Sequence, residues 1–199
     1  MLILVDNTQN LKEAYMTPKL IAFLEKSNIT YQLVNGCEPL SILNLENIKG
    51  VILSGGPLNL SREANLTKMR ANIELFIRLP VYKNRIPVLA ICFGYQLLTL
   101  LFGGEIKALP KLNHGVTRID VDNDSVIFSG SAKELTVFNH HEDYVSEIPK
   151  GFHVIARIIE NGQIQAIEHK SLPIYGVQFH PEASDSTCFI LENFLLLTK

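Results

Sequence analysis

The hydrophobic positions of the first hundred residues fall in short continuous runs that alternate with segments of helical spacing. Short apolar runs are typical of parallel strands covered on both faces, whereas apolar residues three and four apart predict amphipathic helices. The predicted strands are residues 2–5, 31–34, 50–53 and 88–91, and the predicted helices are residues 18–26, 61–81 and 96–102. This alternation predicts an α/β fold with a mostly parallel central sheet flanked by helices.

From residue 105 onward the apolar positions alternate with a period of two. The pattern predicts strands at residues 115–121, 134–138, 153–157, 163–168 and 174–179, followed by a closing helix at 187–197. Asn161-Gly162 is predicted to form a hairpin turn between two of these strands. We therefore expect an additional antiparallel β portion in the C-terminal half. No Gly/Ser/Pro-rich linker interrupts the chain, so residues 1–199 are expected to form a single domain.

Composition excludes several classes of protein. The 199 residues are 47% hydrophobic and 19% charged, which is typical of a globular protein, and the net charge is -2. No block of Lys and Arg favours binding to nucleic acid. The apolar start at residues 1–6 lacks the basic segment and cleavage site of a signal peptide, and the longest later apolar run, 97–102, is far short of the ~20 residues of a membrane span.

The three cysteines, Cys37, Cys92 and Cys188, have spacings that fit neither a zinc site nor a disulfide framework. We therefore expect free thiols and a cytoplasmic protein. Cys92 is the most informative of them, because it ends an apolar strand and is followed by a helix. At such a tight turn a sulfur is exposed above the sheet, near the N–H groups of the helix start, which favour thiolate. The alternative is a buried structural cysteine.

Two other predicted strands are followed by residues that could take part in chemistry. His180 ends the last predicted strand, and Glu182 follows it by two residues. A cysteine and a histidine at the ends of two strands are the components of a thiolate–imidazole pair, and a carboxylate can orient the ring. The turn at residues 54–57 contains two adjacent glycines that can present backbone N–H groups to a ligand. A plain turn is the alternative there.

Together, ILSGGP at 52–57, ICFGYQ at 91–96 and GVQFHPE at 176–182 resemble the class I, triad-type glutamine amidotransferases. The resemblance implies the family's flavodoxin-like fold and hydrolysis of L-glutamine by Cys92, His180 and Glu182. It also implies an oxyanion hole formed by the backbone N–H groups of Gly56 and Phe93. The substrate-binding residues that it implies are Gly55, Gln96, His114, Gly115, Asn139 and His140.

Within the family, residues 138–184 are most similar to the amidotransferase part of GMP synthases. Two departures are that Ala90 stands where the family usually has Gly, and that residues 139–143 read NHHED where the pattern is usually Ser-His-Gly-Asp. No Ser-Gly-Gly-x-Asp-Ser phosphate loop occurs in the chain. The resemblance therefore implies a separate ATP-dependent synthetase subunit that uses the ammonia, most naturally to convert XMP to GMP, with ATP and Mg in that partner and no cofactor in this chain.

The cluster His140-His141-Glu142-Asp143 could suggest a metal site. No His-x-x-x-His or Cys-x-x-Cys spacing accompanies it, so we expect no metal and place the cluster in the family's loop beside the glutamine pocket. Two alternative functions use the same residues. One is a stand-alone hydrolase of γ-glutamyl amide bonds, and the other is a catalytically silent regulatory domain that keeps the fold.

Overall fold

The computed structural model describes residues 1–8, 16–40, 47–62, 69–78 and 85–199. The strands are β1 (Leu2–Asp6), β2 (Tyr31–Asn35), β3 (Gly50–Leu53), β4 (Val88–Ile91), β5 (Glu105–Val121), β6 (Glu134–Glu147), β7 (Phe152–Ile158), β8 (Ile164–His169) and β9 (Ile174–Val177). The helices are α1 (Thr17–Lys26), α2 (Arg70–Arg78), α3 (Phe93–Leu101) and α4 (Phe189–Leu196). Short 3-10 turns occur at Val126–Phe128 and Pro181–Ala183.

These strands form one nine-stranded sheet in the order β2-β1-β3-β4-β9-β8-β7-β5-β6. The strands from β2 to β9 are parallel, and those from β9 to β6 are antiparallel. The predicted α/β fold, with a parallel sheet and an added antiparallel part, is therefore confirmed. The hairpin predicted at Asn161-Gly162 joins β7 to β8, and Gly162 adopts the positive φ of 73° that such a turn requires.

The parallel strands are continuous apolar runs because both of their faces are covered. Every residue of β1, β3, β4 and β9 is buried. Alternate side chains of β1 enter separate clusters, with Leu2 and Leu4 in one and Ile3 and Val5 in the other. Since successive strand residues point to opposite faces, this segregation shows a core on each side of the sheet.

Several predicted boundaries were wrong. Helix α3 begins at Phe93 rather than residue 96, directly after Cys92. The helix predicted at 61–81 is observed at Arg70–Arg78. Ser61 lies in a turn, where its backbone N–H donates to the Asp143 carboxylate at 2.9 Å. Residues 63–68 and 79–81 of that prediction lie outside the described residues.

The antiparallel strands β5 and β6 are also much longer than predicted. Residues 139–143, which were expected to form a loop, lie within β6 and pair with β5 across an irregularity in register. Their side chains therefore alternate between the two faces of the sheet rather than projecting from a loop. Among the residues that the structure describes, no helix is long and apolar enough to cross a membrane.

Candidate active site

The carboxyl ends of the parallel strands gather polar groups at one edge of the sheet. Asn7 follows β1, Ser54 follows β3, Cys92 follows β4, and His180 lies three residues after β9. Ligands of open parallel sheets bind at this edge, because loops there converge from neighbouring strands. The fold thus brings Cys92 and His180 together from positions far apart in the sequence.

Cys92 occupies a sharp turn between β4 and α3. Its φ of 51° and ψ of -108° are unusual for a residue other than glycine, and its backbone N–H donates to the carbonyl of Val177 at 2.8 Å. Helix α3 passes very close to β3, since a Cβ on Gly94 would lie 2.6 Å from the carbonyl oxygen of Leu53. The thiol is therefore held at the helix start by a strained backbone, as predicted for this turn. The predicted exposure of the sulfur above the sheet was wrong, because Cys92 is buried, with 5% of its surface exposed.

His180 is fixed by contacts on both its backbone and its ring. Its backbone N–H donates to the Phe138 carbonyl at 2.9 Å, and ring Nδ1 lies 2.8 Å from Glu182 Oε1. Both side chains are almost fully buried. On the other side of the ring, a Cβ placed on Gly55 would lie 2.9 Å from His180 Cε1 and 3.6 Å from Cys92 Cβ. The absence of a side chain at Gly55 therefore leaves room for the cysteine and histidine to meet.

The protonation state of the His180 ring is set by the groups that contact it. Burial by itself lowers the pKa of His180, but the negative charges of Cys92 and Glu182, together with hydrogen bonds to both, raise it to about 10. An imidazolium is thus favoured at neutral pH between a sulfur and a carboxylate. That arrangement can hold a thiolate and can donate a proton to a leaving group.

The turn after β3 is held against the end of β1. The Asn7 side-chain amide donates to the Ser54 carbonyl at 2.9 Å, and the Asn7 backbone N–H donates to Ser54 Oγ at 3.0 Å. A Cβ on Gly56 would lie 2.6 Å from the carbonyl oxygen of Asn7, so this turn requires glycine. The N–H groups of Gly56 and Phe93 have no acceptor among the described residues.

Two cavities meet at Cys92. The first, of about 290 Å³, has polar and apolar surface in similar amounts, and we call it the polar cavity because Glu142 and Asp143 line it. The second, of about 420 Å³, contains His180 and is mainly apolar. The polar cavity is lined by Gly56, Pro57, Leu58, Asn59, Cys92, Gln96, Leu112, His140, His141, Glu142 and Asp143. The second is lined by Thr8, Met16, Thr17, Gly55, Gly56, Pro57, Cys92, His114, Phe138, His140 and His180.

The walls of the polar cavity are cross-linked by hydrogen bonds between distant segments. The Asp143 carboxylate accepts hydrogen bonds from the backbone N–H and the hydroxyl of Ser61. The Asp143 carbonyl accepts from Gln96 Nε2 at 2.9 Å and from His141 Nδ1 at 2.8 Å. Because that proton sits on Nδ1, His141 Nε2 is left to accept from Asn113 at 3.3 Å. Burial lowers the pKa of His141 to about 4, although its bond to Asp143 opposes this.

His114 and His140 form a cross-strand pair at the second cavity. Their Nδ1 atoms are 2.8 Å apart, so one ring donates to the other, and their rings are nearly perpendicular. Burial, followed by the charges of His114 and His180, lowers the pKa of His140, although Glu142 opposes this. The backbone carbonyl of His140 lies 3.7 Å from Cys92 Sγ and accepts its proton when the sulfur is a thiol.

The structure places most of the predicted site residues around these cavities. Gly55, Gln96, His114 and His140 line one or both, beside Cys92 and His180. Gly115 and Asn139 line neither cavity, although they pair with each other between β5 and β6. Asn139 is fully buried, and its side-chain amide has no hydrogen-bond partner among the described residues.

Sequence reasoning missed three residues that shape the site. They are Asn7, which braces the glycine turn, Ser61, which binds Asp143, and Gln178, whose Nε2 lies 3.9 Å from Cys92 Sγ. A signal existed for Gln178, since it lies two residues before His180 at the end of an apolar strand. In the part of the chain that the structure describes, no three His, Cys, Asp or Glu side chains are arranged to hold a metal ion.

Comparisons with known proteins show which family this chain is similar to. The family model for glutamine amidotransferase class-I matches residues 10–197. The glutamine-hydrolyzing GMP synthase subunit of Pyrococcus abyssi is 34% identical over 99% of this chain and 98% of its own length. The corresponding subunit of Methanocaldococcus jannaschii is 33% identical over 86% of each chain.

Solved structures show the same architecture. The crystal structure of a Thermoplasma acidophilum protein matches with a TM-score of 0.80 and 26% identity, covering 99% of this chain and 92% of the other. A glutamine amidotransferase from Thermotoga maritima matches with a TM-score of 0.74 at 20% identity, covering 96% and 79%. With a family model spanning nearly the whole sequence and a cysteine at the predicted turn, the chain belongs to the class I glutamine amidotransferases.

Proposed function

We propose that this chain hydrolyses L-glutamine to glutamate and ammonia through a Cys92–His180–Glu182 triad and passes the ammonia to a separate synthetase subunit. The observation that carries the proposal is the buried His180 ring, held 2.8 Å from Glu182 Oε1 and packed with Cys92 around Gly55. A buried carboxylate in this position keeps the imidazole in one orientation and stabilises its cation.

The two cavities suggest how glutamine is oriented. The polar cavity is lined by the Glu142 carboxylate, whose Oε2 already accepts from Asn59 at 2.6 Å and pairs with Arg62 at 3.5 Å. It is also lined by Gln96, whose Oε1 accepts no hydrogen bond from a described residue. These are acceptors for the α-ammonium group of an amino acid. His180 lines the other cavity, so a side-chain amide that reaches Cys92 from the polar side has its leaving nitrogen toward His180.

In this mechanism, Cys92 attacks the carboxamide carbon to form a tetrahedral intermediate. Its oxyanion is bound by the N–H groups of Gly56 and Phe93, a contribution of about 3 kcal/mol per donor in other enzymes. His180 protonates the departing ammonia, and a water molecule, deprotonated by His180, then releases glutamate from the thioester. The triad requires no metal or organic cofactor in this chain.

The relatives named as glutamine-hydrolyzing subunits of GMP synthase support the choice of partner. By analogy, we propose that an ATP- and Mg-dependent synthetase docks on this chain and uses the ammonia to convert XMP to GMP. Cytoplasmic localisation follows from that role and from the free thiol that the mechanism needs.

The test is a glutaminase assay of the isolated chain, followed by the same assay after adding the synthetase subunit of its source organism with XMP and ATP. We expect slow hydrolysis alone, faster hydrolysis in the complex, and GMP formation that depends on glutamine. Cys92→Ser should abolish glutamine-dependent amination but leave amination by added ammonium salts. Full glutamine hydrolysis by Cys92→Ser would refute the mechanism, and a glutaminase that the synthetase does not stimulate would refute the partner.

A second candidate function is hydrolysis of γ-glutamyl amides of larger amines. It is favoured by the cavity of about 420 Å³ beside His180, which is far larger than ammonia needs. A steady-state comparison of γ-glutamyl-p-nitroanilide with glutamine separates the two functions. A higher kcat/KM for the anilide would favour this candidate. Labelling of Cys92 by a glutamine-like electrophile would in turn argue against a catalytically silent domain.

A further inference from the structure

We propose that Gln178 is a catalytic residue of this site, whose side-chain N–H stabilises the Cys92 thiolate, and that Gln96 is a positioning residue that orients it. The proposal rests on the proposed function in that Cys92 acts as a thiolate. It adds a neutral hydrogen-bond donor to the charged one that His180 supplies.

The geometry begins at the sulfur. Gln178 Nε2 lies 3.9 Å from Cys92 Sγ, and Gln178 is fully buried. Its backbone is fixed as well, because its N–H donates to the Gln165 carbonyl at 2.7 Å. A buried amide N–H at this distance from a sulfur favours the thiolate over the thiol, since water is excluded and the local dielectric constant is low.

The direction of the Gln178 amide is set by its hydrogen bond with Gln96. Gln96 Nε2 is 2.9 Å from the Asp143 carbonyl oxygen and 3.3 Å from Gln178 Oε1. A carbonyl oxygen can only accept, so the Gln96 atom facing it must be the amide nitrogen. Its second hydrogen then points to Gln178 and requires the oxygen end of that amide there, which leaves the nitrogen end for Cys92. A flipped Gln178 would place two N–H groups together and aim an oxygen at the sulfur.

The far end of this chain of hydrogen bonds is anchored. The carboxylate of Asp143 is held by Ser61, and its carbonyl also accepts from His141. Gln96 lies one helical turn after Cys92, and its backbone N–H donates to the Cys92 carbonyl at 3.0 Å. The orientation of Gln178 is therefore set by the same wall that lines the polar cavity.

Removing the Gln178 side-chain N–H should destabilise the Cys92 thiolate relative to the thiol. The effect is an upward shift in the pH at which Cys92 becomes reactive, because hydrogen bonds to the charged form favour it. Replacing the amide by a carboxylate of the same shape should produce a larger shift, since a negative charge then faces the sulfur.

The experiment measures the rate of Cys92 alkylation by iodoacetamide between pH 5 and 10 in the whole chain. Mass spectrometry of the Cys92 peptide excludes Cys37 and Cys188 from the signal. We expect Gln178→Leu to raise the midpoint by about one pH unit. Gln178→Glu should raise it further, and Gln96→Met should raise it by less than Gln178→Leu. No glutamine turnover is needed, so failure of the proposed glutaminase activity would be seen separately.

The matched control is Gln165→Leu. Gln165 is equally buried, lies on the adjacent strand, and has a side-chain amide without a partner among the described residues. This variant should keep the wild-type midpoint. Circular dichroism and thermal melting establish that each variant is folded. A folded Gln178→Leu or Gln178→Glu with an unchanged midpoint would overturn the proposal, as would an equal shift in Gln165→Leu.

Discussion

The ring of His180 lies 2.8 Å from the carboxylate of Glu182, and the two residues belong to the same short turn after β9. His180 and Pro181 therefore turn the chain so that residue 182 faces back toward residue 180. Because this contact is local, the histidine brings its orienting carboxylate with it wherever the end of β9 is placed. By contrast, Cys92 reaches the other side of the His180 ring only through the tertiary structure.

Glu182→Gln should remove the charge that stabilises the His180 imidazolium while leaving the ring in place. We expect kcat for glutamine hydrolysis to fall by about a hundredfold, less than the loss of an orienting aspartate in serine proteases, since Cys92 also favours the cation. The pKa of His180, now raised to about 10, should fall in the variant. NMR titration of the ring measures that shift, and an unchanged pKa would contradict the assigned role of Glu182.

The raised pKa of His180 also affects stability. A group whose pKa is higher in the folded state than its ordinary value of 6.5 contributes stability that is fully present below pH 6.5. This contribution is lost as the pH rises through about 10. Urea unfolding at pH 7 and pH 10 should therefore show a smaller difference for His180→Gln than for the wild type, and equal differences would contradict the charge assignment.

His141 should have the opposite effect on the pH dependence of stability, with the loss occurring in acid. Its pKa is lowered to about 4 by burial, while the unfolded chain binds a proton near pH 6.5. The contribution of the neutral ring is thus present above pH 6.5 and lost as the pH falls through 4, at a cost of up to about 3 kcal/mol. Urea unfolding at pH 7 and pH 5 should show a steeper loss in the wild type than in His141→Gln. The charges of His180, His140 and Asp143 act on this ring, so the variant is compared with the wild type at each pH.

Gly55→Ala should separate steric exclusion from backbone strain. The new methyl group would lie 2.9 Å from His180 Cε1, so the ring must shift, and a displacement of about 1 Å can cost about a hundredfold in rate. The control is Gly130→Ala, where φ is +77° but nothing lies within 4 Å of the added Cβ. That variant should lose about 1 kcal/mol of stability and keep its activity. Full activity in Gly55→Ala would show that the ring has more room than this contact allows.

Ala90→Gly tests the departure of this chain from its family. Ala90 is fully buried in β4, next to Gly176 of β9 and Leu53 of β3. Removing its methyl group should destabilise the strand by about 1 kcal/mol through lost packing and added backbone entropy. Ala166→Gly, at an equally buried position in β8, should cost a similar amount. Urea denaturation measures both, and glutaminase activity should be retained within twofold in Ala90→Gly.

The local pattern of the sequence predicted the succession of parallel strands and helices along the chain and the residue types at the strand ends. Continuous apolar runs predicted β1, β3 and β4 to within a residue, because burial on both faces leaves no other pattern. The cysteine directly after β4 was also predicted, whereas the strand predicted at 174–179 ends at Val177, so His180 lies three residues beyond it. In a parallel sheet, the ends of strands are where side chains can reach a ligand.

Only the tertiary structure determined which residues surround Cys92 and His180. The sheet order places β9 between β4 and β8, and β6 returns along β5 so that His140 faces His114 and Asp143 reaches Ser61. The amide of Gln178 acquires its direction through Gln96, eighty-two positions away in the chain. Such contacts join strands whose pairing depends on the packing of the whole sheet, and local periodicity carries no information about which distant strand becomes a neighbour.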